Sequence, residues 1–285
     1  MSTFLEQMKY GPRRILVTGH FGSGKTEFAV SLAFFLAKFL PGIESAPNAD
    51  AAEGLLKEPR LALADLDIEN PYFRSRERQE ELEAAGVKVY SDPFGGRNGS
   101  ELQVISASVL APIEDPGCRI IMDTGGDKSG AMVLNQFSRH FGRREGIEGA
   151  AGKTGVNGIF RGGVAGVQPE LPGYQMLSVV NCNRPGTDTV EKAAEQIRAA
   201  EGATGLKISG LISNAHLIRW TTPETVLEGW EFTKKVSEVT GIPVLCACAQ
   251  DKVADVLEGA DALPEGMEIF RIGMYMRDTY LDRQV

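Results

Sequence analysis

The chain has 285 residues, of which 42% are hydrophobic, and its 30 Lys and Arg stand against 38 Asp and Glu, for a formal net charge of −8. This length and apolar content fit one large α/β domain with a sizeable core. Because affinity for nucleic acid depends largely on cationic side chains, the acidic balance argues against generic nucleic-acid binding.

The first predicted elements enclose the most informative motif of the sequence. A strand over Arg14–Thr18 leads into GHFGSGKT at residues 19–26, and a helix is predicted over Lys25–Leu40. This spacing matches G-x-x-x-x-G-K-[ST], the P-loop, whose glycine-rich backbone surrounds phosphate groups. Lys25 is expected to reach the β- and γ-phosphates, and the Thr26 hydroxyl to ligate Mg²⁺. The sequence therefore predicts a protein that binds a nucleoside triphosphate.

Short apolar segments rich in β-branched residues alternate with helical patterns along the rest of the chain. This alternation predicts α/β architecture, with a mostly parallel sheet flanked by helices. The further predicted strands are Leu61–Asp65, Val87–Tyr90, Arg119–Met122, Gln175–Asn181, Ile208–Ser213, Val244–Ala247 and Glu268–Ile272. The further predicted helices are a short one near Tyr72–Ala85, one after Gly130, and Thr189–Ala200, Pro223–Thr240 and Lys252–Glu258.

Two segments do not follow this alternation. Residues 41–59 are small, polar and broken by prolines, and residues 145–173 hold many glycines and little periodicity. Long segments of this kind are usually functional loops or disordered. We therefore expect a single P-loop NTPase domain over residues 1–285, with loop insertions at 41–59 and 145–173.

Membrane insertion and secretion are not predicted. The longest apolar run, 28–40, is too short to span a bilayer and contains Ser31 and Lys38. The N-terminal residues lack the apolar segment of a signal peptide. The expected location is the cytoplasm, where the four cysteines would be reduced.

Aspartates follow two predicted strands, where ligands bind in an open α/β sheet. Asp123 ends the strand in RIIMDTGGD, which is the arrangement of a Walker B carboxylate that holds Mg²⁺ opposite Thr26. Asp65 and Asp67 in ALADLDIEN face the same way if the strand continues. One of them would support Mg²⁺ and the other would orient the attacking water. The N–H of Gly126 can meet the γ-phosphate and move away once that phosphate is lost.

Four stretches together resemble the MinD/ParA-type P-loop ATPases of the SIMIBI class: GHFGSGKT, DLDIENPYFRSRE, MDTGGD and GLISNAHL. The resemblance is strongest to a group of bacterial ATP-binding proteins that carry D-L-D-I-x-N-P-Y-F-R-S-R-E. It implies a MinD-like fold, ATP and Mg²⁺ as cofactors, and slow hydrolysis of ATP to ADP and phosphate. It also implies a nucleotide-dependent switch that a partner protein senses; the sequence does not identify that partner.

The resemblance also implies roles for individual residues. Lys25 and Asp67 match the catalytic lysine and the aspartate that activates water, and Thr26, Asp65 and Asp123 are the expected Mg²⁺ residues. Asn214 matches the asparagine that recognises adenine. Guanine-binding proteins typically carry N-K-x-D, whereas this chain has Asn-Ala-His-Leu from residue 214, so ATP is expected rather than GTP. The predicted nucleotide contacts are Gly19, His20, Phe21, Gly22, Ser23, Gly24, Lys25, Thr26, Glu27, Gly126, Asn214 and Cys248.

Position 20 departs from the family pattern. MinD/ParA proteins carry a lysine there that reaches the phosphates of the partner subunit in a dimer. This chain has His20 there, and histidine as a residue type is shorter than lysine and mostly neutral at pH 7. The histidine at this position puts the dimer-dependent lysine mechanism in doubt. A homodimer is still one of the expected assemblies.

Cys246 and Cys248 form a C-x-C motif that allows a different function. Two thiolates can bind a soft metal, as in a metalloenzyme maturation factor, although two cysteines alone cannot complete a tetrahedral site. We expect instead that Cys246 and Cys248 are small buried residues that pack beside the nucleotide. A small-molecule kinase or ligase of the SIMIBI class is a further alternative, and Arg74 and Arg76 could line its acceptor site.

Overall fold

The structure is a computed structural model that describes residues 3–39, 61–66, 78–90, 101–126, 130, 134–135, 137–141, 173–259 and 263–276, with the backbone alone at 101–107 and 139. Its strands are β1 Arg14–Thr18, β2 Leu61–Leu66, β3 Val87–Tyr90, β4 Arg119–Thr124, β5 Gln175–Val180, β6 Gly210–Ser213, β7 Val244–Ala249 and β8 Ile269–Arg271. Its α-helices are α1 Phe4–Tyr10, α2 Lys25–Ala37, α3 Gln79–Ala84, α4 Glu101–Glu114, α5 Val190–Thr204, α6 Pro223–Thr240 and α7 Asp251–Gly259, with 3₁₀ turns at Ser138–His140 and Ile218–Trp220.

The eight strands form one sheet in the order β3-β2-β4-β1-β5-β6-β7-β8. Every neighbouring pair is parallel. The predicted fold class, a mostly parallel sheet flanked by helices, is therefore confirmed. Each predicted strand is present, with ends that differ by no more than two residues.

The predicted helices are also present where the structure describes the chain. The helix at Pro223–Thr240 has its predicted bounds, because Thr222 caps its N-terminus and Gly241, with φ of 74°, ends it. Helices α1 and α4 were not predicted. The segments 41–59 and 145–172, and the segment just after Gly130, lie outside the described residues.

Two apolar layers cover the sheet. Helices α1, α2 and α3 pack on one face, where Phe28 of α2, Phe4 of α1 and Phe270 of β8 have ring centroids 5.4 to 6.3 Å apart. Helices α4, α5 and α6 cover the other face through residues such as Val109, Ile197 and Val236. The P-loop thus begins at the central strand and enters the helix that packs on the first face.

None of the described helices combines the length and the hydropathy needed to cross a lipid bilayer.

Candidate functional site

The P-loop joins β1 to α2 through backbone conformations that require glycine. Gly22 and Gly24 have φ of 73° and 87°, in the left-handed region that side chains disfavour. The N–H of Ser23 donates to the carbonyl of His20 at 3.0 Å and closes the turn. The first bond of α2 runs from Phe28 N–H to the Gly24 carbonyl, also at 3.0 Å. The loop therefore places the N-terminus of a 13-residue helix at the site, where anions are stabilised.

Lys25 and Thr26, the first residues of α2, are both buried, with 5% and 8% of their surface exposed. The Lys25 Nζ lies 3.5 Å from the carbonyl oxygen of His20 and so stays inside the turn of the loop. A cation held in this position is available to an anion that enters the loop.

Asp65 and Asp123 are direct neighbours across the pair β2 and β4. Their side chains point to the same face of the sheet as Leu63 and Ile121, two residues earlier, which pack against α2. Both are buried, and Asp123 is fully so. Thr26 begins the helix that covers this face, so two carboxylates and a hydroxyl approach one side of the loop. These hard oxygen donors fit Mg²⁺.

Asp67, which was expected to orient the attacking water, follows β2 and lies outside the described residues, so its role stays a prediction. Within the described ranges no three His, Cys, Asp or Glu side chains are grouped so that they could hold a metal ion.

Gly126 follows β4 and packs against the start of the P-loop. A Cβ at this position would collide with the carbonyl oxygen of Gly19 and lie 3.2 Å from the carbonyl carbon of His20. The carbonyl of Gly126 also accepts a hydrogen bond from Gln196 Nε2 of α5 at 2.6 Å. The backbone after β4 is therefore in direct contact with both the P-loop and a helix on the second face.

A cavity of about 260 Å³ opens beside the P-loop, between the loop and the ends of β6, β7 and β8. Eight of the predicted nucleotide-contacting residues line it: Phe21, Gly22, Gly24, Lys25, Thr26, Glu27, Asn214 and Cys248. Four others do not: Gly19, His20, Ser23 and Gly126. These four residues lie in the P-loop or against its backbone. We therefore expect them to contribute to nucleotide binding through the loop and not through the cavity wall.

Asn214, directly after β6, lines this cavity and is bonded to the P-loop. Its side-chain Nδ2 donates to the carbonyl of Ser23 at 2.8 Å, and the amide lies against the bare Cα of Gly24. Since a carbonyl oxygen can only accept, this bond fixes the orientation of the amide. The Oδ1 atom is buried and accepts no hydrogen bond from the described residues. An unsatisfied buried acceptor costs about 1–3 kcal/mol, so a ligand donor that reached Oδ1 would be stabilised.

The C-x-C motif lies on β7 next to this cavity. Cys246 and Cys248 are both buried and belong to the core cluster on the α2 face. Burial raises the pKa of the Cys246 thiol well above its ordinary value, and the neighbouring Cys248 raises it further. Metal binding requires thiolates, so this environment favours the structural interpretation.

A segment after β8, residues 272–276, forms one wall of the cavity and was not predicted. The Glu27 carboxylate accepts backbone N–H bonds from Tyr275 and Met276, and Ser31 Oγ accepts one from Gly273 at 3.1 Å. Arg78, just before α3, donates to the Tyr275 carbonyl. The Glu27 carboxylate thus holds this wall in place, and the expected contact of Glu27 with the nucleotide stays a prediction.

Sequence reasoning also missed Arg184, His216 and Gln250, which line the cavity. They come from loops after β5, β6 and β7; His216 lies within GLISNAHL, and Arg184 and Gln250 belong to no motif. Ile218 lines the cavity as well, with φ of 61°, a conformation that a β-branched residue rarely adopts. Strained backbone of this kind is common at binding sites, and no pattern in the sequence predicts it.

Comparisons with known proteins give low similarity. No family model and no curated protein matches the sequence. FtsY from Mycoplasma mycoides has a TM-score of 0.44 at 13% identity, over 84% of this chain and 65% of that one. The signal recognition particle 54 kDa protein from Aeropyrum pernix K1, in complex with GDP, has a TM-score of 0.43 at 18% identity, over 83% and 41%. Cell division protein FtsY from Thermotoga maritima has a TM-score of 0.39 at 16% identity, over 85% of this chain and 66% of that one.

The chain therefore spans less than two thirds of the length of each of these proteins. Similarities at this level assign no function to it. Its own sheet order, its P-loop between β1 and α2, and the aspartates on β2 and β4 define a P-loop protein of the parallel α/β class.

Proposed function

We propose that this protein binds Mg·ATP, hydrolyses it slowly to ADP and phosphate, and acts as a nucleotide-dependent switch. The observation that supports this most directly is the composition of the cavity wall. Lys25 and the P-loop backbone belong to this wall, and so does Asn214, whose Oδ1 accepts no hydrogen bond from the described residues. An adenine nucleotide supplies phosphates for the P-loop and an amino group for Asn214.

The orientation of Asn214 favours adenine over guanine. The 6-amino group of adenine is a donor and pairs with Oδ1, whereas the 6-oxo group of guanine is an acceptor and would be left facing another acceptor. Of the described residues that line the cavity, the acidic one is Glu27, and its carboxylate accepts two backbone amides. A carboxylate that could pair with the edge of guanine is therefore not supplied by these residues.

The proposed chemistry is positioning and charge neutralisation rather than covalent catalysis. Thr26, Asp65 and Asp123 would hold Mg²⁺, whose contribution is to neutralise charge on the phosphates. Lys25 neutralises charge on the β- and γ-phosphates from inside the loop. Asp67, directly after β2, orients the attacking water.

The regulatory part of this proposal follows the resemblance to MinD/ParA-type ATPases. Loss of the γ-phosphate would release the backbone at Gly126, which contacts both Gly19 and Gln196. The motion would pass to α5 and be sensed by a partner protein in the cytoplasm. The lysine that acts across a family dimer is replaced by His20, so the proposed switch does not require a homodimer.

Metalloenzyme maturation through Cys246 and Cys248 is the alternative that can be tested most simply. Burial and the raised pKa of Cys246 oppose thiolate formation. Elemental analysis of protein purified without chelator should find less than stoichiometric zinc or nickel. One metal ion per chain, lost in a Cys246→Ala and Cys248→Ala double variant, would replace the present proposal with the metal function.

The direct test of the ATPase proposal compares three variants in binding and phosphate-release assays. Lys25→Ala should abolish ATP binding or hydrolysis, and Lys38→Ala, an exposed lysine at the end of the same helix, should change neither. Asp67→Ala should bind ATP and lose hydrolysis. Turnover at the wild-type rate by the Asp67 variant would show that this residue does not position the water.

A further inference from the structure

The loop between β5 and α5, residues 181–188, is held against the P-loop by several independent contacts. Asn181 Oδ1 accepts from the N–H of Asn183 at 2.9 Å, and the Asn181 carbonyl accepts from Thr187 Oγ1 at 2.6 Å. The N–H of Thr187 donates to the Arg184 carbonyl at 2.9 Å and closes a turn. The backbone that carries Arg184 is therefore fixed before any ligand binds.

The Arg184 side chain contacts the P-loop at Gly22. Its Nε donates to the Gly22 carbonyl at 2.8 Å. A Cβ on Gly22 would lie 3.1 Å from Nε and 3.4 Å from Cδ and Cζ. The absence of a side chain at residue 22 thus allows the guanidinium to approach, and Arg184 becomes part of the cavity wall next to Gly22 and Lys25.

The bond to Gly22 uses only one of the five guanidinium donors, since Nε carries a single hydrogen. The two Nη groups form the fork that binds phosphate oxygens in a bidentate manner. Within the described part of the chain no carboxylate forms an ion pair with Arg184. Lys25 and Arg184 are the lysine and arginine that the described residues contribute to the cavity wall.

The His20 side chain contacts the 181–188 loop. Its Nδ1 lies 2.9 Å from the carbonyl oxygen of Phe21, and its ring packs against Gly186 of the 181–188 loop. The imidazole therefore serves to seat this loop on the P-loop and does not line the cavity.

We propose that Arg184 binds the phosphate chain of the nucleotide from within the same subunit, with its guanidinium positioned by the Gly22 carbonyl. The chemical class of ligand is a nucleoside di- or triphosphate, and the inference rests on the proposed nucleotide-binding function. Arg184 would add a second cation to Lys25 in the same cavity wall.

The test measures MgATP affinity by calorimetry for wild type, Arg184→Ala, Arg184→Lys and Arg184→Gln. The control is Arg198→Ala, an exposed arginine on α5, the helix that follows this loop. Loss of a charge-assisted contact should raise the Kd of Arg184→Ala about 10- to 100-fold, while Arg198→Ala binds like wild type. A wild-type affinity for Arg184→Ala, or an equal loss in Arg198→Ala, would overturn the inference.

The Lys and Gln variants separate a phosphate contact from a purely structural role. Both have an extended side chain with an N–H donor for the Gly22 carbonyl, but only lysine carries a charge. If Arg184 binds phosphate, Arg184→Lys should bind ATP several-fold more tightly than Arg184→Gln, with equal thermal midpoints of the nucleotide-free proteins. Equal affinities of the two variants would mean that Arg184 only supports the loop. Failure of the wild-type protein itself to bind ATP would instead contradict the proposed function.

Discussion

Asn214 lines the cavity and also holds the P-loop through its side chain, so its removal should affect both stability and nucleotide binding. Asn214→Ala leaves the Ser23 carbonyl without its 2.8 Å donor. We expect a loss of about 1–3 kcal/mol in the free energy of unfolding and weaker ATP binding. Urea denaturation and calorimetry measure the two effects. Asn183→Ala is the control, because the Asn183 side chain is exposed and its backbone N–H, which bonds to Asn181, is retained; equal effects of the two variants would contradict the role of Asn214.

Gly126 gives a second prediction at the level of a single residue. In Gly126→Ala the new methyl group meets the carbonyl oxygen of Gly19, so the P-loop or the backbone after β4 must shift. Overpacking of this kind costs about 1–3 kcal/mol, and ATP affinity should fall with it. Gly202→Ala is the matched control, because a Cβ there meets no atom within 4 Å and the residue lies in α5. Gly202→Ala should gain about 0.5–1 kcal/mol in the free energy of unfolding. The same gain in Gly126→Ala would contradict the close contact between Gly126 and Gly19.

At the residue scale, motifs in the sequence fix the backbone around Lys25, Thr26 and Asn214, and the structure places these three residues in the wall of one cavity. Their roles toward a nucleotide stay predictions. Arg184 was missed because its position depends on a turn built by Asn181 and Thr187, which has no sequence signature. The prediction for Glu27 was incomplete for a similar reason, because its hydrogen-bond partners Tyr275 and Met276 are about 250 residues away in the sequence.

The segment 272–276 offers a prediction at the level of an element. Glu27→Gln retains one oxygen acceptor for two backbone amides, so this wall of the cavity should loosen. We expect faster hydrogen exchange at residues 273–276 and several-fold weaker ATP binding, with a stability loss of about 1–3 kcal/mol. Glu238→Gln, an exposed glutamate on α6, should leave all three unchanged. Unchanged exchange at 273–276 in the Glu27 variant would show that other contacts hold the wall.

Strands were predicted better than helices because buried parallel strands produce continuous apolar runs. Helix α1 was missed because it has only seven residues, although the Thr3 and Glu6 capping box marks its start. Helix α4 was missed because Pro112 and several β-branched residues oppose a helix by propensity. Its signal was the spacing of the core residues Val109 and Ile113, four apart.

At the scale of the whole molecule, the strand order brings the site together. The chain order of the strands was predicted, but their spatial order was not, because alternating strands and helices are compatible with several sheet topologies. With β1 between β4 and β5, the aspartates of β2 and β4 lie on one side of the P-loop. The loops after β5 to β8 lie on the other side and form the cavity.

This arrangement predicts where a nucleotide switch should be visible. Gly126 contacts Gly19 in the P-loop and Gln196 in α5, so loss of the γ-phosphate should change exchange in the P-loop, after β4 and in α5. Hydrogen exchange of the ADP state against a non-hydrolysable ATP state measures this. If the exchange rates changed only at residues 19–26 and not at Asp123–Gly126 or in α5, the protein would be a binding module without a switch.

The central claim is that the cavity selects an adenine nucleotide through the P-loop and Asn214. Calorimetric titration of the wild-type protein with ATP and with GTP, each with Mg²⁺, tests it most directly. Because the wrong purine leaves Asn214 Oδ1 facing another acceptor, we predict about 10-fold or greater preference for ATP. Equal affinities, or tighter binding of GTP, would contradict the account.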